Sequence, residues 1–244
     1  MAKRKPKPKP SLPARLIDRM LAPVRWIWRW VLRGAIIVTV IVCATVAAHG
    51  YLDPPRTLYM AQESSRLSGI DHQWVPIEEM SDAVPRSVVA AEDANFCLHW
   101  GFDMKAIRTA LEDGARRGAS TLSQQVVKNV YLWHGRSWSR KAFEALITPM
   151  VETFWSKRRI LEVYLNVAEF DDGVFGVEAA SRHYFNTGPE DLSEQQAALL
   201  AAILPNPKER SAAKPNNFVR KRARQVRDGA ATIRRDGRAA CFED

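Results

Sequence analysis

Cysteine is scarce in this chain: three in 244 residues, an odd count. Cys43 lies in an apolar run, Cys97 beside an acidic pair and Cys241 near the C-terminus; none falls in CxxC or Cys/His metal-ligand spacing. We expect neither a structural zinc site nor a disulfide framework. No internal repeat is found, and no run after residue 80 shows convincing period-two alternation, so the sequence announces no half-buried strand. Charge excess is also missing from most of the chain. Of 36 Lys and Arg, ten fall in residues 1–33 beside one Asp, whereas the other 211 residues carry 26 basic and 26 acidic side chains. The formal net charge of +9 therefore belongs to the N-terminal tail, which weighs against a nucleic-acid partner. Residues 208–244 form a second, milder basic region with 11 basic and five acidic side chains, read as the solvated face of a helix. The length suits one sizeable domain with extensions.

The first fifty residues have their own organisation. "MAKRKPKPKP" alternates Lys and Pro and cannot build a core. From Gly34 to Ala48 there are 15 uncharged residues, and 19 from Gly34 to Leu52. At about 1.5 Å per residue the longer run spans roughly 28 Å, close to a bilayer's hydrocarbon thickness. Arg25, Arg29 and Arg33 share one helix face, and Trp26, Trp28 and Trp30 suit the headgroup layer. A cleaved signal peptide is the competing reading, but about 33 residues before the apolar core are many for a signal n-region. We expect a basic cytoplasmic tail over 1–30 and a transmembrane helix over 31–52. The basic excess before the span places the N-terminus in the cytoplasm and the rest of the chain outside the inner membrane.

Beyond the span, residues 53–74 read as a linker and the remainder as helices, a mainly α domain. Ser81, Asp103, Ser120 and Ser193 are candidate caps, Ser193 with Gln196 in capping-box spacing. The run from Arg140 to Phe170 reads as one long helix with a kink at Pro149. Gly173 and Gly176, three apart, suggest close backbone packing at a turn.

Four stretches carry candidate chemistry. "VVAAEDANFCLHWG" ends a small, apolar run on Glu92 and Asp93. The ordinary reading is a helix end whose acids reach water; the sharper one is a general base with a raised pKa. In "GASTLSQQVVKN", Ser120, Gln124 and Lys128 lie four apart, a stripe of hydroxyl, amide and ammonium at a helix N-terminus. Alone it reads as a solvent-facing polar face. In "RKAFE", Arg140 and Glu144 are spaced for an intrahelical ion pair. "SKRRILEVYLN" is an amphipathic helix with Ile160, Val163 and Tyr164 inward.

Together, in this order and spacing, these stretches and "GVFGVEAASRHYF" resemble the five motifs of the peptidoglycan glycosyltransferase family, specifically its monofunctional, membrane-anchored biosynthetic members. The resemblance covers about residues 75–210, with Ala119 where Gly is common. It implies a lysozyme-like helical head lobe with a smaller membrane-facing jaw at roughly residues 98–125, where Trp100, Phe102 and Met104 meet lipid. A basic helical extension over 211–244 follows. No Lys-Thr-Gly motif appears, so no transpeptidase activity is expected.

By resemblance, the enzyme transfers the lipid-linked growing glycan onto lipid II, forming β-1,4 bonds with release of undecaprenyl diphosphate. Glu92 is then the general base. Lys128 and Arg140 hold the leaving diphosphate, and Glu144 is the second essential glutamate. Glu144 either orients Arg140 and Lys141 or binds a divalent cation such as Mg²⁺; no organic cofactor is implied. Ser120, Thr121, Gln124 and Asn129 are implied substrate contacts. Asp93 has a supporting role, and His99 a structural one. Partners are lipid II, the lipid-linked glycan, the inner membrane and cell-wall synthesis proteins, with no nucleic acid. The alternatives are a lysozyme-like lytic enzyme cleaving glycan strands, which needs no diphosphate clamp, and a non-catalytic scaffold.

Overall fold

The computed structural model describes residues 12–114, 118, 120–135 and 137–243, with side chains described from residue 21 onward. The extreme N-terminal tail and Ala119 lie outside the described residues. The chain divides into two units, the first ending at Thr45 and the second beginning at Val46.

Helix α1 (Leu12–His49) supplies the first unit and runs on into the second. Its stretch Leu21–His49 contains an 18-residue window of mean hydropathy 2.3 with almost no buried side chains, and Ile36, Ile37, Val38, Val40 and Ile41 are all exposed. A helix whose long apolar stretch leaves its side chains exposed is compatible with a single-pass membrane anchor.

The second unit is mainly helical. It contains α2 (Leu58–Leu67), α3 (Ala83–Glu92), α4 (Met104–Glu112), α5 (Leu122–Tyr131), α6 (Trp138–Phe154), α7 (Lys157–Val167), α8 (Gly176–Phe185), α9 (Glu194–Ile203), α10 (Asn217–Arg235) and α11 (Ala240–Glu243). Among the described residues there are also three short strands, β1 (Asp71–His72), in a segment expected to hold extended pieces, and β2 (Glu169–Asp171) and β3 (Val174–Phe175), which the sequence does not announce. They form a sheet in the order β1-β3-β2, parallel for the first pair and antiparallel for the second. Strands of two or three residues are too short to show alternation.

Helix α9 is the centre of the fold. Every residue from Ala197 to Ile203 is buried, as a helix packed on all sides requires. It starts at the Ser193–Gln196 capping box read from sequence. Helices α3 and α10 pack against it and against each other. α10 contributes Val219, Ala223, Val226, Ala230 and Ile233, while Arg220, Lys221, Arg224 and Arg227 face water. A Cβ on Gly229 would stand 3.3 Å from the Ala90 methyl, so the absent side chain lets α10 approach α3 closely. On the other side, α5 packs between α6 and α7 through Leu122, Val126 and Val127, all fully buried.

Three readings need correction. The run from Arg140 to Phe170 is not one long helix: α6 continues through Pro149 but stops at Phe154, and α7 ends at Val167. The interruption falls at Trp155–Ser156, where the Ser156 hydroxyl accepts from Arg159 N and caps α7. The buried Trp155 ring meanwhile donates to Val46 O at 2.6 Å. Ser81 is not the cap of α3, which begins at Ala83 after Asp82 with no side-chain cap bond. Finally, a disulfide does form, between Cys97 and Cys241, 144 residues apart. It joins α11 to the 3-10 turn Phe96–Leu98, a proximity that tertiary packing creates and spacing along the chain cannot show. The glycine reading holds: Gly176 has φ of +82°, and a Cβ there would lie 2.9 Å from Asn166 O.

Candidate active site

The acid pair is split by the end of α3. Asp93 is buried. Its carboxylate accepts from Leu122 N at 3.0 Å and faces His99 Nε2 at 2.9 Å, tying the end of α3 to the start of α5. Glu92, one residue earlier, is part-buried. Its Oε2 accepts a 2.9 Å bond from Gln125 Nε2, and Gln125 Oε1 in turn accepts from the buried Tyr164 hydroxyl at 3.3 Å. Packing on most sides raises the Glu92 carboxyl above the usual carboxylate range. The Gln125 bond and the charges of Arg222 and Lys128 offset part of that rise, and Asp93 adds to it.

Helix α5 begins one residue later than its sequence suggests. Thr121, not Ser120, is the cap: its hydroxyl accepts from Gln124 N at 3.3 Å, and Gln124 Oε1 accepts from Thr121 N at 3.1 Å. Thr121 also donates to Gly101 O at 2.7 Å. Thr121 and Gln124 are both buried and spend polar atoms on starting the helix. Ser120 is exposed, and its Oγ accepts from Lys141 Nζ at 3.2 Å.

Two recesses adjoin along α5. One, of about 260 Å³, is lined by Ser120, Gln124, Gln125, Lys128, Arg140, Lys141 and Glu144. The other, of about 440 Å³, shares Gln125 and Lys128 and adds Asn129, Tyr59, His134, Tyr164 and Lys208 among its walls. Lys128 thus stands on the boundary of both. Burial lowers its pKa, Arg140 lowers it further, and Glu144 and Glu92 offset part of the fall. A lysine held short of water beside other cations is equipped to receive an anion.

Helix α6 supplies the other cations. Ser137 caps it by accepting from Arg140 N at 3.2 Å. Arg140 Nε donates to Gly135 O at 2.9 Å, and Nη1 donates to Glu144 Oε2 at 2.7 Å. Lys141 Nζ donates to the other oxygen, Oε1. Glu144 is 2% exposed, so its carboxylate orients two cations whose free edges face the recess. That arrangement does not fit a divalent cation, because both carboxylate oxygens already serve positive groups that would repel it.

Among the described residues, an acidic group that could hold a divalent ion lies elsewhere. Ligand oxygens of Glu63, Glu169 and Asp172 fall within 4.8 Å of one another. Lys208 Nζ stands among them at 2.9, 3.2 and 3.1 Å, so an ion entering there must displace an ammonium.

The structure brings Ser120, Gln124, Lys128, Arg140, Lys141 and Glu144 to one recess and Asn129 to the adjoining one, with Glu92 joined to both through its bond from Gln125. Sequence reading passed over Gln125, although it is the second half of the "QQ" pair and the only one of the two facing Glu92. It also passed over Tyr59 and His134, whose rings stack at 3.6 Å. Burial and the charges of Lys128, Arg140 and Lys208 pull His134 down to about 4, so the ring is neutral at pH 7.

A family model described as Transglycosylase matches residues 60–231. A biosynthetic peptidoglycan transglycosylase of Jannaschia sp. (strain CCS1) is 54% identical over 243 residues, covering 99% of each chain. Relatives with the same description occur in Caulobacter vibrioides, 44% identical over 80% of this chain and 87% of the relative, and in Rhodospirillum centenum, 43% identical over 96% and 99%.

The electrostatics generate a stability prediction. A lysine pKa depressed by folding leaves no penalty above the unfolded value of about 10.4, and the penalty grows as pH falls through that value. At pH 7 the charged Lys128 therefore opposes folding of the empty protein. Lys128→Met should raise the melting temperature in detergent by about 2–4 °C, the shift that roughly 1 kcal/mol produces in a domain of this size. A lowered melting temperature would contradict the electrostatic reading of this lysine.

Proposed function

The chain belongs to the transglycosylase family that builds peptidoglycan, and we propose a division of labour within its cleft. The protein is a glycosyltransferase that polymerises peptidoglycan glycan chains from lipid-linked substrate. In our reading Glu92 accepts the proton of the acceptor sugar's 4-hydroxyl as that oxygen attacks the donor's anomeric carbon. The new bond is β-1,4, and the bond to undecaprenyl diphosphate breaks with its electron pair. Burial gives Glu92 the raised proton affinity that a base requires, and Gln125 holds it without neutralising it.

Lys128 and Arg140 receive the charge that develops on the leaving diphosphate, Arg140 with its planar fork and Lys128 as a point charge. Glu144 orients Arg140 and Lys141 and is not assigned a metal. Ser120, Gln124 and Asn129 contact substrate from the walls of the two recesses, whereas Thr121 acts through the cap. One observation carries this reading: a carboxylate of raised pKa is hydrogen-bonded to Gln125, a residue that lines the same recess as the cations Lys128, Arg140 and Lys141. A lytic enzyme on this fold has no use for such a cation cluster.

We place the enzyme in the bacterial inner membrane, its N-terminus cytoplasmic and its catalytic domain periplasmic. The basic residues before the apolar helix support this orientation. So does the Cys97–Cys241 disulfide, which suits an oxidising compartment. Exposed Leu98, Trp100, Met104 and Leu111 are the apolar surface we assign to lipid. We assign no transpeptidase activity, because the chain contains no Lys-Thr-Gly motif and a relative of matching length has the single description of transglycosylase.

Two outcomes test the roles. Glu92→Gln should reduce lipid II polymerisation at least about a thousandfold. Its stability should be equal or higher near pH 7. A carboxyl whose pKa is raised by folding contributes stability below its unfolded pKa, and that contribution is lost as pH rises through the folded value. Wild-type turnover in Glu92→Gln rejects the base.

Arg140→Met should cost about ten- to a hundredfold in turnover, the equivalent of roughly 1.5–3 kcal/mol of charge-assisted bonding. Arg140→Lys should recover only part, because the fork is lost while the charge remains. Both changes should weaken moenomycin, the phosphoglycolipid that mimics the donor. Near-normal rates and moenomycin affinity would leave Arg140 as a mere partner of Glu144.

A further inference from the structure

The segment that carries Glu92 is held from outside the motifs, by the C-terminal part of the chain. Helix α10 displays a row of basic residues, most of them exposed. Arg222 is the exception within that row: it is half-buried, and its Nη2 donates to Ala91 O at 2.9 Å. Ala91 lies in the last turn of α3, where carbonyls lack an intrahelical partner and the helix dipole favours a cation. Three residues on, Arg238 Nη1 donates to Ala94 O at 3.0 Å. Three further on, Cys97 is bonded to Cys241. The far end of this arm is itself fastened, with Phe242 fully buried, Arg158 Nη1 donating to Phe242 O at 2.7 Å and Arg86 Nε donating to Glu243. Residues 91, 94 and 97 are thus gripped at regular intervals from one side, while Asp93 is gripped by Leu122 N and His99 from the other.

We propose that Arg222 is a positioning residue for Glu92, acting through the Ala91 carbonyl as the first of three C-terminal grips that fix the 91–97 segment. The inference rests on the reading of Glu92 as the base. The charged and titratable groups around Glu92 are Lys128 on α5, Tyr164 on α7, Asp93 beside it and Arg222 on α10. Arg222 therefore does two things at once. It fixes where the α3 terminus stops, and its charge helps keep the buried carboxylate ionised. Since a misplacement of about 1 Å costs on the order of a hundredfold in rate, a grip on the adjacent carbonyl matters to the chemistry.

The test uses the full-length enzyme in detergent, with lipid II turnover followed from pH 5 to 9. Arg222→Met should lower kcat about tenfold or more with KM nearly unchanged. It should also move the acidic limb of the rate profile upward by about half a pH unit, because removing a cation raises the proton affinity of the base. Arg222→Lys should return the limb toward wild type while kcat recovers only in part. A profile and kcat equal to wild type would overturn the proposal, and so would a lowered melting temperature with both unchanged in the folded enzyme.

If Arg222→Met does not fold, Cys97→Ser/Cys241→Ser decides. It releases the other end of the segment, and a fall in kcat at constant KM is expected; wild-type kcat overturns the brace. Glu92→Gln in the same assay separates the two layers. If it retains turnover, the base assignment has failed whatever Arg222 does; if it is inactive while both brace variants behave as wild type, the brace alone has failed.

Discussion

The constraint on which the site depends is the desolvation of charge. Lys128 lines both recesses, Glu92 is hydrogen-bonded to Gln125 on their shared wall, and burial pushes the two proton affinities in opposite directions, up for the carboxyl and down for the ammonium. Each shift disfavours the charged form, so the empty cleft is electrostatically costly. In the proposed reaction substrate relieves it: a diphosphate would supply the counter-charge for Lys128, and a sugar hydroxyl the proton for Glu92. The neutral amide of Gln125 is a fitting neighbour here, since an ion pair in its place would hold the carboxylate down and remove its basicity.

The rest of the fold keeps those groups in place against that cost. Helix α9 gives α3 a wall of buried alanines and leucines to press on, and α10 covers the other side. Asp93 spends its charge on the α5 amide and His99. Glu144 spends its own on Arg140 and Lys141, so that the cations are aimed before any substrate arrives. Asp93 and Glu144 are thus spent on amides and cations that build the site, whereas Glu92 accepts from the neutral amide of Gln125, which fits the base proposed above.

Much of this was legible in the sequence, for local reasons. Lys128, Arg140 and Glu144 are placed by helical spacing, and Ser193 with Gln196 marks the start of α9 by a pattern complete within four residues. What escaped is non-local or too short. The cap of α5 falls at Thr121 because its hydroxyl also reaches Gly101 O, a contact made across a loop. The break between α6 and α7 falls at Ser156 because the Trp155 ring is anchored on Val46 O, 109 residues away. An odd count of cysteines gave no sign that Cys97 and Cys241 would meet. The basic stretch near the C-terminus reads, by its charge alone, as a solvated helix face. Most of its charges are solvated, but its other face is core, and Arg222 turns inward to Ala91.

The measurement that bears most directly on this account is the titration of Glu92 itself, followed by the carboxyl carbon resonance of the isotope-labelled full-length enzyme, with Glu92→Gln to assign the signal. The account requires a midpoint above the ordinary glutamate value of about 4.3 in the free enzyme. It also requires a further change when moenomycin occupies the cation cluster. A midpoint at or below the ordinary value, unmoved by the ligand, would contradict the claim that this cleft stores a desolvated base.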